Sequence, residues 1–130
     1  MIVLDTHVAL WTLGDVGMLS TAAVQAIKET ESEGSRCAVS TLSFYEIARA
    51  IVRGRMQSTL TLEELIAEIE RRFIVRPLTP QLALAAAQLP AAFPSDPFDR
   101  IIAATAMVEG VPLLTADQHI RRSRVIRTIW

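Results

Sequence analysis

Cysteine is almost missing from this chain. The single Cys37 excludes an intramolecular disulfide and a cysteine-based metal cluster. Histidine is as sparse, and neither His7 nor His119 stands at the spacing of a zinc site. Lysine is rarer still: of 13 basic residues only Lys28 is lysine, and the other 12 are arginine. A membrane-spanning run, which takes roughly 18 to 20 apolar residues, is also lacking. The longest apolar stretch, residues 82–93, is cut by Gln88 and Pro90. No basic leader precedes Asp5, and Asp5 itself interrupts the first apolar stretch, which argues against a signal peptide. A cytoplasmic protein with no membrane role is the expectation. With only 5 Gly and 6 Pro, the chain is neither fibrous nor disordered.

What is present fits a small globular protein. The 130 residues are 51% apolar and 21% charged, enough to bury a core in one domain spanning 1–130 but too few for two. The net charge of −1 conceals the arginine bias. Arginine makes bidentate contacts to phosphate or carboxylate, so the bias suits an RNA-binding or acid-binding surface. It equally suits a GC-rich coding sequence that carries no functional message.

The patterning alternates strands and helices. Ile2, Val3 and Leu4 read as a buried strand ending at Asp5. A short helix follows over 7–13, closed by Gly14, and a second runs from Ser20 to about Glu33. Residues 36–40 read as a strand. Ser43 opens a helix that stops at Gly54. Thr61 and Glu64 form a capping box opening a helix through Arg72. Strands over 73–78, 111–115 and 125–130 alternate with helices over 80–89 and 98–109, and Asp117 starts a short helical turn. This order predicts an α/β domain with a mainly parallel sheet. In such folds ligands sit beyond the carboxyl ends of the strands, where strand order reverses.

Acids fall at those positions. Asp5 ends the first strand, and Asp117 lies two residues past the fourth. Glu46 and Asp99 lie in the first turns of helices that can face the same end of the sheet. Carboxylates gathered at one mouth repel unless a cation neutralises them, and an all-oxygen set suits Mg²⁺ or Mn²⁺. A metal there can activate water and stabilise charge on a scissile phosphodiester. Structural explanations compete. Glu46 fits a capping box with Ser43, Asp96 with Pro97 caps a helix start at which Asp99 favours the dipole, and Asp117 can cap its own short helix. Asp5 resists such an account, because a carboxylate closing a buried apolar strand is costly without a partner. Thr6 and Thr115 stand beside two of the acids, either orienting a ligand or water or capping helix starts. Ser40 and Ser43 are weaker candidates. His7 reads as structural and His119 as solvated surface. Arg49, Arg53 and Arg55 follow Glu46 along its helix and can guide an RNA backbone.

The motifs in order are Met1-Ile2-Val3-Leu4-Asp5-Thr6, the segment from Ser40 to Ile47 with Glu46, Asp96-Pro97-Phe98-Asp99-Arg100 continuing to Ala104, and Leu114-Thr115-Ala116-Asp117. Together they make the chain resemble a PIN domain, and within that family the VapC-type toxins of bacterial toxin–antitoxin pairs. The resemblance covers essentially the whole chain. Each motif alone is weak; the ordered set is specific. It implies a three-layer α/β/α fold and a Mg²⁺- or Mn²⁺-dependent endoribonuclease. It implies a homodimer, a cognate antitoxin that blocks the site, and operator DNA reached only through that antitoxin. By position, Asp5, Glu46, Asp99 and Asp117 match the family's acidic quartet, with Asp5, Asp99 and Asp117 as metal ligands. Thr115 matches its hydroxyl before the last acid, and Asp96 a motif acid expected to cap or support. Similar proteins often carry His-Arg where this chain has Pro94-Ser95, so any substrate contact made by that pair is missing.

Other classes fit less well. A haloacid-dehalogenase-type phosphatase needs an acid two residues after its first Asp, where this chain has His7. Both it and a phosphoacceptor receiver domain need a late lysine, and Lys28 is early. The remaining rival is a catalytically weak binding module of the same fold, acting with an antitoxin on operator DNA.

Overall fold

Strands of two or three residues make up the centre of the molecule, and β1, β2 and β4 each run directly into a segment that carries candidate site residues. The computed structural model describes residues 1–130. The strands are β1 (Val3–Leu4), β2 (Ala38–Ser40), β3 (Ile74–Arg76), β4 (Leu113–Leu114) and β5 (Thr128–Ile129). They form one sheet in the order β3-β2-β1-β4-β5. Every pairing is parallel, with Val3 opposite both Ala38 and Leu113, and Leu114 opposite Ile129. The expectation of a mainly parallel sheet is met by a wholly parallel one.

Seven α-helices connect the strands: α1 (Thr6–Leu13), α2 (Thr21–Ser32), α3 (Thr41–Val52), α4 (Leu62–Arg72), α5 (Pro80–Ala87), α6 (Pro97–Glu109) and α7 (Gln118–Ser123). The side-chain alternation of the strands sorts them into layers. Leu4, Val39 and Leu114 pack with Val8 of α1, Ala23 of α2, Ile47 of α3, and Leu65 and Ile69 of α4. Their strand neighbours Val3, Ala38 and Leu113 face the other way, onto Ile102, Ala103 and Ala106 of α6 and Ile120 of α7. Helix α5 lies outside α6 through Leu82, Ala86 and Ala104. The result is the expected α/β/α sandwich. Both sheet faces are covered, which is why the strand residues are apolar in continuous runs rather than alternating.

Local rules account for most helix ends. Thr61 and Glu64 make the expected reciprocal capping box. Gly110 ends α6 in the left-handed region at φ 67°, where a side chain would be strained. One expected start is wrong. Helix α3 begins at Thr41 with Ser40 as its cap, whose hydroxyl accepts from the Leu42 N–H. Strand β2 therefore passes into α3 with no loop, and Ser43 is an interior helix residue, buried at 1% exposure. Glu46 then lies beyond the first turn, and its capping-box explanation falls away.

The chain winds from β1 outward through β2 and β3, then crosses back to β4 and β5 on the other side of β1. Strand order reverses between β1 and β4. That reversal opens a crevice at their carboxyl ends.

Candidate active site

Asp5 and Thr115 are the residues that leave β1 and β4 at the crevice. The Thr115 hydroxyl donates to Asp5 Oδ2 at 2.6 Å, while Asp5 Oδ1 accepts from the Thr6 N–H at 2.7 Å and so caps α1. The partner that a carboxylate closing a buried strand requires is thus Thr115, itself fully buried. The same threonine oxygen accepts from the Asp117 N–H at 3.1 Å. Thr115 therefore orients both acids, and does not serve as a helix cap. Asp117 caps α7, its Oδ1 accepting from the His119 and Ile120 N–H groups at 2.7 and 2.9 Å. Its second oxygen accepts nothing from the protein.

Glu46 reaches the crevice from α3. Its Oε1 lies 2.7 Å from the hydroxyl of Thr6, which is also 2.9 Å from the Ser43 hydroxyl. Thr6 has one proton to give, and the charged acceptor is the stronger partner, so Ser43 donates to Thr6 in turn. Burial raises the Glu46 pKa above its ordinary value; the Thr6 hydrogen bond offsets this in part, and the Asp5 charge adds to the rise.

Asp99 enters from the first turn of α6. Asp96 caps that helix as expected, accepting from the Phe98 and Asp99 N–H groups at 2.9 and 3.2 Å, with Pro97 at the first helical position. No protein donor reaches the Asp99 carboxylate, which is pushed up to about 7. Burial is the largest cause, followed by the charges of Asp96, Asp5, Asp117 and Glu46. Asp99 thus feels every other acid of the set, which places Asp5, Glu46, Asp96, Asp99 and Asp117 around one crevice. All five offer oxygen only, the donor chemistry of Mg²⁺ or Mn²⁺. No three of these side chains close into a ready-made cage. Mg²⁺ needs only one or two direct carboxylates, with water completing its shell. The residues present fit such an ion.

Arg100, next in the motif, carried no expectation from sequence. Its guanidinium turns away from the acids and donates to backbone carbonyls of Ala86 (3.1 Å), Leu89 and Pro94 (3.1 Å), with Phe93 at 3.4 Å. These carbonyls lie at the end of α5 and along the loop that leads to Asp96, and those of Leu89, Phe93 and Pro94 accept no backbone N–H. Arg100 therefore pins the loop on which Pro94 and Ser95 lie, and with it the start of α6. The only sequence signal was its place directly after Asp99.

A groove of about 850 Å³ opens from the crevice. Glu46 and Asp96 are among its walls, and so are Arg49, Arg53 and Arg55, which line it between α1, α3 and the segment leading to α4. The only ion pairs in the structure are Arg71–Glu68 and Arg76–Glu109, so the three groove arginines have no carboxylate partner. His7 also lines the groove, beside Glu46, which makes it part of the crevice wall. His119 is exposed outside the groove. Cys37 is buried, with its thiol pushed up to about 11, chiefly by burial, so it stays protonated and unreactive.

An acid-lined crevice at the reversal point of a doubly wound parallel sheet defines the class, and comparison with known proteins gives the family. The PIN domain model matches residues 2–125, and the chain belongs to that family. It is 34% identical to Ribonuclease VapC22 of Mycobacterium tuberculosis over 131 residues, covering 99% of this chain and 98% of that protein. Among solved structures it is similar to VapBC2 from Rickettsia felis bound to a promoter DNA fragment. There the TM-score is 0.72 at 13% identity, over 98% of this chain and 97% of that one. It is also similar to DNA-bound VapBC from Salmonella typhimurium, with a TM-score of 0.67 at 23% identity over 98% and 95%. These two likenesses establish the shared fold.

Proposed function

We propose that the chain is an endoribonuclease that hydrolyses RNA phosphodiesters with Mg²⁺ or Mn²⁺, acting as the toxin of a toxin–antitoxin pair. The observation that carries the reading is the convergence on Asp99. Four other carboxylates raise its pKa, and no protein donor compensates it. A site built this way is complete only with a cation. The ribonuclease name of a relative 34% identical over nearly the whole length supports the reaction class.

Asp5, Asp99 and Asp117 would hold the ion, with Thr115 fixing Asp5 and the Asp117 backbone. A bound Mg²⁺ or Mn²⁺ supplies Lewis acidity at the scissile phosphate. Glu46, held by Thr6 and raised by burial, is placed to take a proton from the attacking water. Arg49, Arg53 and Arg55 hold the RNA backbone along the groove. Asp96 supports the site as the cap of α6.

The partner would be an antitoxin presenting a basic side chain to the acids, with operator DNA bound through it. Both solved structures named above are of VapBC bound to DNA. Exposed Leu84, Met107 and Val108 on α5 and α6 supply apolar surface for a homodimer. No helix is long and apolar enough to cross a membrane, and an RNA substrate would be met in the cytoplasm. The presence of all four acids supports the enzyme over a weak binding module.

The test is cleavage of RNA by the purified chain. Activity should appear with Mg²⁺ or Mn²⁺ and vanish in EDTA. If Asp5→Asn cleaves as fast as the parent under matched conditions, the catalytic assignment is wrong.

A further inference from the structure

Two aromatic rings stack at the rim of the crevice. Tyr45 of α3 and Phe98 of α6 lie with centroids 5.6 Å apart and planes 17° from parallel. Each immediately precedes an acid of the site, Glu46 and Asp99. Phe98 is half-buried and lines the arginine groove, while Tyr45 is 56% exposed and its hydroxyl has no partner in the protein. Phe98 lies near-parallel to the Tyr45 ring and holds its plane, while more than half of Tyr45 stays exposed to solvent. A packing role alone would be met by a buried aliphatic pair and does not need an open aromatic face.

We propose that the Tyr45–Phe98 stack is a base-binding platform, on which a nucleobase of single-stranded RNA beside the scissile phosphate stacks against the open face of Tyr45. The inference rests on the ribonuclease reading and deepens it by naming where the base sits. Three observations support it. The stacked pair stands one residue before a site acid on each of two helices, Glu46 on α3 and Asp99 on α6, so a base on it lies within reach of a phosphate at the crevice. The groove behind Phe98 carries three unpaired arginines suited to the flanking backbone. Every nucleobase has a π-face, so a platform of this kind binds unpaired RNA and excludes a stacked duplex. Tyr45 is then a positioning residue for substrate, and its loss raises KM more than it lowers kcat.

The experiment uses an unstructured 12-nucleotide RNA carrying 2-aminopurine at successive positions, with parent, Tyr45→Ala, Tyr45→Leu and Tyr45→Phe proteins. Cleavage by the parent in Mg²⁺ is read first, and mapping of the product ends locates the scissile bond. Binding is then read on the Asp5→Asn protein with and without Tyr45→Ala. The expected result is fluorescence quenching confined to one position beside the scissile bond and lost with Tyr45→Ala. KM should rise roughly tenfold for Tyr45→Ala and Tyr45→Leu, and stay within about twofold for Tyr45→Phe. If the parent cleaves but Tyr45→Ala keeps its KM and its quenching, the platform is wrong and the ribonuclease stands. If the parent cleaves no RNA yet quenching occurs and depends on Tyr45, the platform stands and the ribonuclease reading fails. If Tyr45→Ala instead changes the mass in sedimentation, the ring belongs to a contact between copies and the proposal is overturned.

Discussion

Thr115 and Asp5 stand 110 positions apart in the chain and are joined by a 2.6 Å hydrogen bond across the reversal of the sheet. The bond locks the carboxyl end of β4 to that of β1 and sets the direction of one Asp5 oxygen. Thr115→Val keeps the volume and removes the hydroxyl. Asp5 then loses a charge-assisted donor and the Asp117 N–H loses its acceptor, both bonds being part-buried. Stability should fall by about 1–3 kcal/mol in urea titration. Mn²⁺ affinity by calorimetry should weaken roughly 10- to 100-fold, as for loss of a ligand-orienting partner. Thr115→Ser should restore most of both. Unchanged Mn²⁺ affinity in Thr115→Val would remove Asp5 from the metal set.

Asp99 gives the protein a pH dependence with a definite sign. Its folded pKa of about 7 lies far above its ordinary 3.8. Folding therefore disfavours the ionised form, and stability is greatest where Asp99 is protonated. In EDTA the melting temperature should fall as pH rises from about 4 through 7 and then level. Glu46 is shifted in the same direction and adds to the slope. Asp99 is only half-buried, so the loss, discounted for solvent screening, is about 1–2 kcal/mol rather than the full linkage value. Asp99→Asn should flatten most of the slope. Mg²⁺ should stabilise the parent more at pH 8 than at pH 5, since the ion competes with the proton for the same carboxylate. A melting temperature that rises across this window in EDTA would contradict the crowding of acids around Asp99.

Arg100 holds the Leu89, Phe93 and Pro94 carbonyls, which no backbone N–H reaches, and adds a bond to that of Ala86. Replacing it by Met keeps the stem and strips the donors from the end of α5 and the loop before Asp96. The loss should be about 2–3 kcal/mol in urea titration, because buried carbonyls go unpaired. Hydrogen exchange should quicken over residues 88–96 first, since that is the segment the guanidinium clasps. Arg100→Lys should recover little, as one ammonium cannot match the spread of a guanidinium fork. Equal protection of that segment in parent and Arg100→Met would show that the clasp is not what orders it.

The helix caps and the alternation of strands and helices were readable from sequence because they depend on short-range rules, while the three-layer arrangement came from the family resemblance. Asp96 with Pro97, Asp117, and Thr61 with Glu64 cap the helices they were expected to cap. The strands were placed, but each is shorter than expected, since apolar runs mark burial and do not mark where pairing stops. The start of α3 was misread because Ser40 and Ser43 are both good cap residues. Only the burial of Ser43 against Thr6, 37 residues away, decides between them. That one contact changes Glu46 from a capping residue into a crevice residue. Arg100 and the Tyr45–Phe98 stack were invisible for the same reason: their partners lie on other elements, and no local pattern encodes them.

Arg49, Arg53 and Arg55 provide the remaining test, because they line the groove without a carboxylate partner. If they neutralise RNA phosphates, binding falls as salt rises, with a log–log slope of roughly 0.7 per phosphate contact for a single strand. Replacing all three by Gln should flatten that slope by about 2 and weaken binding most at low salt. Replacing them by Glu should weaken it further by repulsion. Arg71, paired with Glu68 on α4, serves as the control, and Arg71→Gln should leave the slope unchanged. Fluorescence anisotropy of a labelled single-stranded RNA between 50 and 300 mM salt, on the order of a Debye length of 14 to 6 Å, separates the two cases. Parallel salt plots for the parent and the triple Gln variant would show that the groove arginines do not touch the RNA backbone.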